Sequence, residues 1–334
     1  MTRRPRIGVV GVGAITQLAH LPVFSRVRAL EVVALCDNDG AKARALADRF
    51  EVPDVFTDIE DLLEFDNLDA VVVATPNHLH EPHVLSAIAA GVDVLCERPL
   101  ALTSRGVERV LAAAAKAGRK VLVANNHRFR SDAQALERFI RGGELGRVTG
   151  FRAGSYQPRR ATDGWRTRRA EAGGGAFLEQ GLPLVDLALW LADFPAPVRV
   201  SASMDRARGR DAVESAMLVH LECADGTAYS FDASRDYVAA EERWWVECLA
   251  ARGSARLAPL RVVKELNGAP VPVSHTGAAA RENAFTQSYR AQAAHFAAVL
   301  AGDARYEPPA DQLIVHRVLD AAYVAAEEGR EVRL

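Results

Sequence analysis

The chain has 334 residues, enough for two domains that each bury a hydrophobic core. Hydrophobic residues make up 49% and charged residues 25%, which is typical of a water-soluble globular protein. A formal net charge of -2 argues against a nucleic-acid or acidic-membrane partner, and no apolar run approaches the ~20 residues of a membrane span. The four cysteines lack metal-ligand or CxxC spacing, so we expect no metal site and a reduced, cytoplasmic setting.

The first strong pattern is a glycine-rich turn between two apolar runs. Residues 6–10 and 30–36 predict buried strands, and a helix follows the turn. The turn consists of Gly11, Val12, Gly13, Ala14, Ile15 and Thr16. Gly11 permits a tight turn, Gly13 lets a pyrophosphate approach the backbone, and Asp37 ends the second strand as an acceptor for a ribose. This arrangement predicts a dinucleotide site that prefers NAD to NADP, because Asp37 would repel a 2′-phosphate.

Predicted strands and helices alternate up to about residue 125. The strands cover residues 7–10, 32–36, 70–74, 92–96 and 121–124, and the helices cover 41–49, 59–64, 82–90 and 104–117. Short apolar strands joined by helices are typical of a doubly wound parallel sheet. Residues 1–125 are therefore predicted to form an α/β Rossmann domain.

Longer alternating runs follow and predict an α+β domain over residues 126–334. Its strands cover residues 151–156, 198–204, 216–222, 227–233 and 243–249, and its helices cover 182–191, 289–300 and 310–328. Asp225 and Gly226 predict a hairpin turn, so the large sheet should be mostly antiparallel. Apolar positions on both faces, including Trp244 and Trp245, predict a homo-oligomer formed through the open face of this sheet.

Three polar segments follow predicted strands, at the edge where an open α/β sheet binds ligands. They are 74–80 (ATPNHLH), 96–101 (CERPLA) and 125–129 (NNHRF). Together with the glycine run 173–175 and the stretch through Asp186, they resemble the Gfo/Idh/MocA family of NAD(P)-dependent oxidoreductases. The resemblance extends from Ile7 to the C-terminus. It implies a Rossmann domain, an α+β substrate domain and reversible oxidation of a sugar or cyclitol hydroxyl.

The resemblance also implies roles for individual residues. The cofactor-binding positions are Gly11, Gly13, Ala14, Ile15, Asp37, Thr75, Pro76, Asn77, His80, Glu97, Arg98 and Asn126. Beyond the resemblance, we predict substrate-binding positions at Arg128, Tyr156, Trp165, Arg166 and Gln180. The expected partner is thus a small sugar-like or cyclitol-like molecule, with NAD as the cofactor.

Three positions depart from the family pattern where proton transfer is expected. The lysine of the Glu-Lys-Pro motif is Arg98, and the glycine run is followed by Glu179 and Pro183 where the family has Asp and His. Oxidation of an alcohol requires a group that takes the hydroxyl proton. Arginine keeps its charge in proteins, so it can polarise an oxygen but cannot shuttle a proton, and proline can do neither.

The loss of the lysine and histidine leaves two hypotheses open. The remaining titratable candidates are His78, His127, Tyr156 and Glu179, of which we favour Glu179 or His127. The first hypothesis is an oxidoreductase with an altered proton-transfer group. The second is a non-enzymatic NAD-binding sensor, regulator or assembly subunit.

An arginine-rich segment precedes the glycine run. It contains Arg159, Arg160, Arg166, Arg168 and Arg169, and it includes Trp165. One interpretation is a solvated basic surface loop. The other is a substrate-binding segment that recognises a carboxylate or phosphate through arginine side chains.

Overall fold

The computed structural model describes residues 3–159, 164–205, 212–274 and 283–334. The chain forms two compact units, one made of Met1–Phe129 and Glu282–Ala310, the other of Arg130–Arg281 and Asp311–Leu334. Across the described ranges, no helix combines the length and hydropathy needed to cross a membrane. Arg160, one of the five arginines of the basic segment, lies outside the described residues.

The first unit begins with six short strands and five helices. The strands are β1 (Arg6–Val10), β2 (Glu31–Cys36), β3 (Asp54–Phe56), β4 (Ala70–Val73), β5 (Asp93–Cys96) and β6 (Val121–Val123). The helices are α1 (Leu21–Phe24), α2 (Gly40–Phe50), α3 (Ile59–Leu63), α4 (Asn77–Ala89) and α5 (Ser104–Ala117). A π-helical turn, Thr16–His20, leads into α1, and a 3₁₀ turn, Asn126–Phe129, follows β6.

The six strands form one parallel sheet in the order β3-β2-β1-β4-β5-β6. All four residues of β4 are buried, as expected for a central strand with helices on both faces of the sheet. The strand order reverses between β1 and β4, which opens a crevice outside the carboxyl ends of these two strands. The doubly wound parallel sheet expected from the sequence is confirmed.

The second unit contains most of the remaining elements. Up to residue 274 these are α6 (Ser131–Arg141), β7 (Val148–Pro158), α7 (Arg169–Ala172), α8 (Leu182–Leu191), β8 (Pro197–Asp205), β9 (Ala216–Cys223), β10 (Ala228–Tyr237), β11 (Arg243–Ala250), β12 (Gly253–Arg256), β13 (Arg261–Leu266) and β14 (Ala269–Pro272). The chain then forms α9 (Ala284–Ala301) in the first unit and returns with α10 (Asp311–Glu328) and β15 (Val332–Arg333).

The second unit is built on a nine-stranded sheet in the order β14-β13-β12-β11-β7-β10-β9-β8-β15. Among the described strand pairs, β7 and β10 run parallel and the others antiparallel, so the mostly antiparallel sheet is confirmed. Side chains alternate between the two faces of each strand. One face carries Phe151, Tyr229 and Val246 in a core shared with α8 and α10, and the open face carries Tyr156 and Trp245.

Helix α8 is apolar on all sides and is correspondingly buried. Every residue of Leu182–Leu191 except Trp190 is buried. Such a helix is stable only inside a core. Its one carboxylate, Asp186, accepts a hydrogen bond from the Gln312 side chain on α10 at 2.8 Å. This bond ties the middle of α8 to α10 within the second unit.

The structure differs from the sequence expectation in its short elements and in one helix. The sequence gives no strong signal for β3 or β12–β14, which have three to six residues each, because so few positions cannot show a period. Helix α9 packs Tyr289, Ala293 and Phe296 into the core of the first unit. The compact first unit therefore includes a segment that a single division at residue 125 leaves out.

Candidate functional site

The glycine turn after β1 has the geometry that its sequence predicts. Gly11 has a φ of +92°, and a Cβ there would lie 2.6 Å from the carbonyl oxygen of Ala74. Only glycine fits both the backbone conformation and this close approach to the end of β4. A Cβ at Gly13 would meet nothing within 4 Å, so the backbone there is open to a ligand. Thr16 is buried, and its hydroxyl closes the turn by donating to the Gly11 oxygen at 2.6 Å.

Asp37 lies at the end of β2 and is held against the glycine turn. Its Oδ2 accepts a hydrogen bond from the Val12 N–H at 2.8 Å, and its Oδ1 accepts from the Asp39 N–H at 3.0 Å. The Lys42 ammonium on α2 lies 3.7 Å from Oδ2. Sequence analysis missed Lys42, although a position five residues after the acid, on the next helix, is a signal that could have found it.

His80 joins the segments that follow β4 and β5. Its Nδ1 lies 2.7 Å from the Pro99 carbonyl oxygen and its Nε2 lies 2.8 Å from the Thr75 carbonyl oxygen. Burial lowers the pKa of His80 below its ordinary value. Both ring nitrogens face carbonyl oxygens of the chain, and the N–H of a neutral ring donates to one of them. Any effect on a cofactor would come from holding these two loops together. Pro76 and Asn77 begin α4 between Thr75 and His80.

Glu97, directly after β5, is the centre of a buried polar cluster. Its Oε1 lies 2.9 Å from His20 Nε2 and accepts a hydrogen bond from the Tyr289 hydroxyl at 3.3 Å. Burial raises the pKa of Glu97, but the hydrogen bond and charge of His20, with Arg98 nearby, outweigh it and leave the pKa below its ordinary value. His20 and Tyr289 were not predicted as site residues, and Tyr289 lies 192 positions away in sequence.

Arg98 and Asn126 present unpaired polar atoms at the same edge of the sheet. The Nε of Arg98 is buried and has no hydrogen-bond partner among the described residues. Asn126 donates to Ser288 Oγ at 3.0 Å, but its Oδ1 is buried and likewise lacks a partner in the described part of the chain. Unsatisfied buried donors and acceptors are rare in native proteins and usually have a partner that is a ligand or water. His127 and Arg128 are half-buried in the 3₁₀ turn that Asn126 begins.

The second unit places Glu179 next to the arginine-rich segment. The carboxylate Oε1 of Glu179 lies 3.5 Å from Arg166 Nε, and both side chains are about half exposed. The Arg166 guanidinium also lies over the Trp165 ring, 4.4 Å from its centre. Arg166, Trp165 and Glu179 are therefore neighbours, as their assignment to one site requires. Exposed pairs of this kind contribute little to stability.

Gln180 and Pro183 are buried, whereas Glu179 is exposed. The Gln180 amide nitrogen donates to the carbonyl oxygens of Ser155 at 2.9 Å and Ser234 at 3.1 Å, which ties it to the sheet. Residues Phe177–Gly181 form a π-helical turn in which the Leu182 N–H bonds to the Phe177 oxygen. Since Pro183 has no N–H, it cannot continue the regular α-helical bonds. Positions 179 and 183, four residues apart, would share one face of a regular α-helix, and the π-helical turn departs from that geometry.

The Tyr156 side chain lies on the open face of the large sheet, and the Ser155 side chain lies on the other face. The Tyr156 hydroxyl donates to Asp232 Oδ2 at 2.5 Å, and its ring packs edge-on against Trp245. The hydrogen bond to Asp232 and burial raise the pKa of Tyr156 to about 12. Gln180 therefore bonds to the backbone next to Tyr156, while the Tyr156 side chain lies on the open face.

The described arginines of the basic segment all pair with carboxylates of the same chain. Arg159 pairs with Asp236, Arg166 with Glu179, Arg168 with Glu171 and Arg169 with Glu327. Their charges are thus largely compensated without an anionic ligand. This pairing favours a basic surface segment over a carboxylate- or phosphate-binding one.

No group of three or more His, Cys, Asp or Glu side chains within the described ranges is arranged to hold a metal ion. The polar atoms of the first unit instead lie along the carboxyl edge of a parallel sheet, next to an open glycine turn. This is the edge at which dinucleotides bind to such sheets.

Comparison with known proteins agrees with this geometry. Residues 5–125 match the family described as "Oxidoreductase family, NAD-binding Rossmann fold", and residues 133–256 match the "GFO/IDH/MocA C-terminal domain". The 1,5-anhydro-D-fructose reductase of Ensifer adhaerens is 33% identical over 68% of this chain and 68% of its own length. The chain belongs to the Gfo/Idh/MocA family of oxidoreductases.

Two further Gfo/Idh/MocA relatives extend the comparison. The D-glucoside 3-dehydrogenase of Escherichia coli is 32% identical over 60% of this chain, and the match spans 58% of that enzyme. Among solved structures, GenD2 from gentamicin A biosynthesis, crystallised in complex with NAD, has a sequence 27% identical to this chain. The structural match covers 100% of this chain and 97% of the GenD2 chain, with a TM-score of 0.85. The NAD-binding Rossmann fold and the Gfo/Idh/MocA assignment expected from the sequence are confirmed.

The Glu97 cluster predicts a pH-dependent contribution to the stability of the first unit. Glu97→Gln should lower the free energy of unfolding by about 3 kcal/mol at pH 7, because it breaks a buried pair. Folding lowers the pKa of this carboxyl group, so its charged form stabilises the folded protein at pH values above its ordinary pKa of 4.5. This stabilisation is lost as the pH falls through the lower pKa of the folded state. Urea unfolding from pH 7 to pH 3.5 should show the difference between variant and wild type shrinking below about pH 4.5.

The matched control is Glu31→Gln, which removes an exposed carboxylate 3.9 Å from Arg4. It should change the free energy of unfolding by less than about 1 kcal/mol at any of these pH values. A Glu97→Gln effect that stayed constant from pH 7 to pH 3.5 would contradict the lowered pKa.

Proposed function

We propose that this protein is a NAD-dependent oxidoreductase that transfers a hydride between the cofactor and a hydroxyl or carbonyl carbon of a sugar-like or cyclitol-like molecule. The observation that carries the proposal is the carboxyl edge of the parallel sheet in the first unit. There an open Gly13 backbone and the Asp37 carboxylate accompany two buried, unpaired polar atoms, Arg98 Nε and Asn126 Oδ1. These groups match the polar parts of a dinucleotide.

The residues present fit NAD. The turn at Gly13 would hold the pyrophosphate, and Asp37 would accept from a ribose hydroxyl. Asn126 Oδ1 and Arg98 Nε would gain the partners that they lack among the described residues. When bound, the nicotinamide accepts or supplies the hydride. The task left to the protein is to orient the substrate and to move the hydroxyl proton.

Glu179 is the proton-transfer group that we propose. Arg98 keeps its charge and cannot accept the proton of a substrate hydroxyl. Tyr156 is committed to Asp232, and its pKa of about 12 makes it a poor base near neutral pH. Glu179 is a solvent-accessible carboxylate beside Arg166, so it can accept a proton and is oriented by a cation. His127 remains the second candidate.

The substrate that we propose is neutral. The relatives at 32% and 33% identity are named for a D-glucoside and for 1,5-anhydro-D-fructose. In this chain the described arginines of the basic segment are already paired with carboxylates. An acidic sugar would therefore gain little additional attraction from them.

Steady-state assays over a panel of neutral glycosides, inositols and uronates test the proposed chemistry. Glu179→Gln should lower kcat by ~10²–10⁴-fold on the best substrate, since a positioned general base contributes that much. NADH binding should remain unchanged in this variant. The double variant Arg98→Lys, Pro183→His should raise turnover of ordinary polyols if the lost lysine and histidine limit the wild-type rate.

Glu171→Gln is the matched control, because it removes another carboxylate that pairs with an arginine of the same segment. It should keep wild-type kcat. A kcat that falls with His127→Ala but not with Glu179→Gln would transfer the proton-handling role to His127. NADH binding without turnover on the whole panel would favour a non-enzymatic NAD-binding role.

We further propose that NAD is preferred to NADP. Asp37 carries its charge at the ribose end of the glycine turn, and Lys42 at 3.7 Å offsets only part of it. Fluorescence titration should show NADH binding at least about tenfold more tightly than NADPH, because like charges in contact cost several kcal/mol. Gly13→Ala should weaken the binding of both without changing Tm, since its Cβ meets nothing in the protein. Equal affinities for NADH and NADPH would refute the proposed preference.

The homo-oligomer is also a proposal, and the open face of the large sheet supports it. Leu218 is 49% and Leu249 41% exposed on this face. Leu218 lies in the same cross-strand row as Trp245, three strands away, and Leu249 lies four residues further along β11. Trp245 lies flat over Gly154, where a Cβ would collide with its ring. An exposed apolar surface of this kind is typical of a protein interface.

Light scattering at micromolar concentration should give a mass at least twice the 36.1 kDa of one chain. Leu218→Glu combined with Trp245→Glu should shift the protein toward monomers, because it places charges on the open face. Val324→Glu changes an exposed apolar residue on α10 and should leave the mass unaltered. A wild-type mass of 36.1 kDa would exclude the oligomer.

A further inference from the structure

A buried carboxylate outside the assigned site residues organises the start of the helix that carries Glu179. Glu214 is 2% exposed. Its Oε2 accepts a hydrogen bond from the Gly175 N–H at 2.8 Å, and its Oε1 accepts from the Phe177 N–H at 2.9 Å. The hydroxyl of Tyr323 on α10 donates to the same Oε1 at 2.9 Å. Hydrogen bonds to a charged acceptor are stronger than those between neutral groups.

The main chain of Glu214 contributes a fourth hydrogen bond at the same place. Its carbonyl oxygen accepts from the Ala176 N–H at 3.0 Å. One residue therefore receives three consecutive backbone N–H groups, those of Gly175, Ala176 and Phe177. The first N–H groups of a helix have no partner within the helix, and a negative charge at that end is favourable. Glu214 thus caps this helical segment from a distant part of the chain.

Two glycines of the run 173–175, Gly174 and Gly175, are explained by the same contacts. A Cβ at Gly174 would collide with the Tyr323 hydroxyl, and a Cβ at Gly175 would collide with the backbone of Glu214. Within the second unit these glycines are needed because Glu214 and Tyr323 approach the backbone so closely. No ligand is required to account for them.

The residues just before Glu214 also contact the arginine-rich segment that contains Arg166. Ala212 forms an isolated antiparallel bridge with Arg168, two residues from Arg166. Glu179 lies two residues beyond Phe177, and its N–H bonds to the Gly175 oxygen at 3.0 Å. The backbones that carry both members of the Arg166–Glu179 pair are therefore anchored by residues 212–214.

We propose that Glu214 is a positioning residue that fixes the place of the Glu179 carboxylate. The inference rests on the proposed function, in which Glu179 takes the substrate proton. A carboxylate suits this task better than an amide, because it offers two acceptor oxygens and no competing donor. The side-chain nitrogen of a glutamine would face a backbone N–H, so that one of the hydrogen bonds would be lost. Loosening the turn would then displace Glu179.

Glu214→Gln tests this role through kinetics and through hydrogen exchange. We expect kcat to fall by ~10–100-fold per folded molecule, because a displacement of about 1 Å at a reacting group can cost that much. The Kd for NADH should stay at its wild-type value. Amide exchange should accelerate at least about tenfold in the peptide covering residues 174–182, since losing one such hydrogen bond costs on the order of 1.5 kcal/mol.

Tyr323→Phe removes one donor and leaves the carboxylate in place, so it should fold even if Glu214→Gln does not. It should give a smaller fall in kcat and a smaller rise in exchange over the same peptide. Glu137→Gln on α6 is the control, because it removes a carboxylate paired with Arg141 in the same unit. It should match wild type in kcat and in exchange.

The two readouts separate the failure of this inference from the failure of the proposed function. A wild-type protein without turnover on the whole panel would refute the proposed activity, and hydrogen exchange would still test the anchoring by Glu214. Unchanged exchange over residues 174–182 in both variants would overturn the inference. So would accelerated exchange with wild-type kcat in an active enzyme, because Glu179 would then not depend on Glu214.

Discussion

A carboxylate removed from water must be surrounded by donors or positive charge, and this requirement shapes both units of the protein. In the first unit Glu97, which follows β5, contacts His20 of the turn before α1 and accepts a hydrogen bond from Tyr289 of α9. In the second unit Glu214 accepts hydrogen bonds from the Gly175 N–H of the glycine run and from the hydroxyl of Tyr323. Each buried charge thereby joins segments far apart in sequence, and the candidate functional residues lie next to these junctions.

The residues at the proton-transfer positions separate this chain from its family pattern. Arg98 and Pro183 replace groups that can carry a proton with groups that cannot. The structure shows a local basis for Pro183, which lies buried at the start of α8 behind a π-helical turn. It leaves Glu179 exposed beside Arg166, so the chain retains a carboxylate that can accept a proton.

The sequence was sufficient for the features that follow from local patterns. The glycine turn at Gly11, the parallel sheet and the large antiparallel sheet all follow from spacing and alternation. Contacts over long sequence separations were not predictable in this way. Tyr289 reaches Glu97 across 192 positions, and nothing local marks either residue as a partner. The placement of the Tyr156 side chain on the open sheet face depends on strand register, which residue type does not reveal.

The return of α9 to the first unit has a consequence for how the chain folds during synthesis. Phe296 and Tyr289 complete the core of the Rossmann unit, although most of that unit is made from residues before 130. A nascent chain that has emerged only to residue 129 lacks these side chains and leaves the matching apolar surface uncovered. The core of the second unit is likewise incomplete until α10, which follows α9 in the chain, has been synthesised. Both cores therefore close late in translation, and the two units cannot mature strictly one after the other.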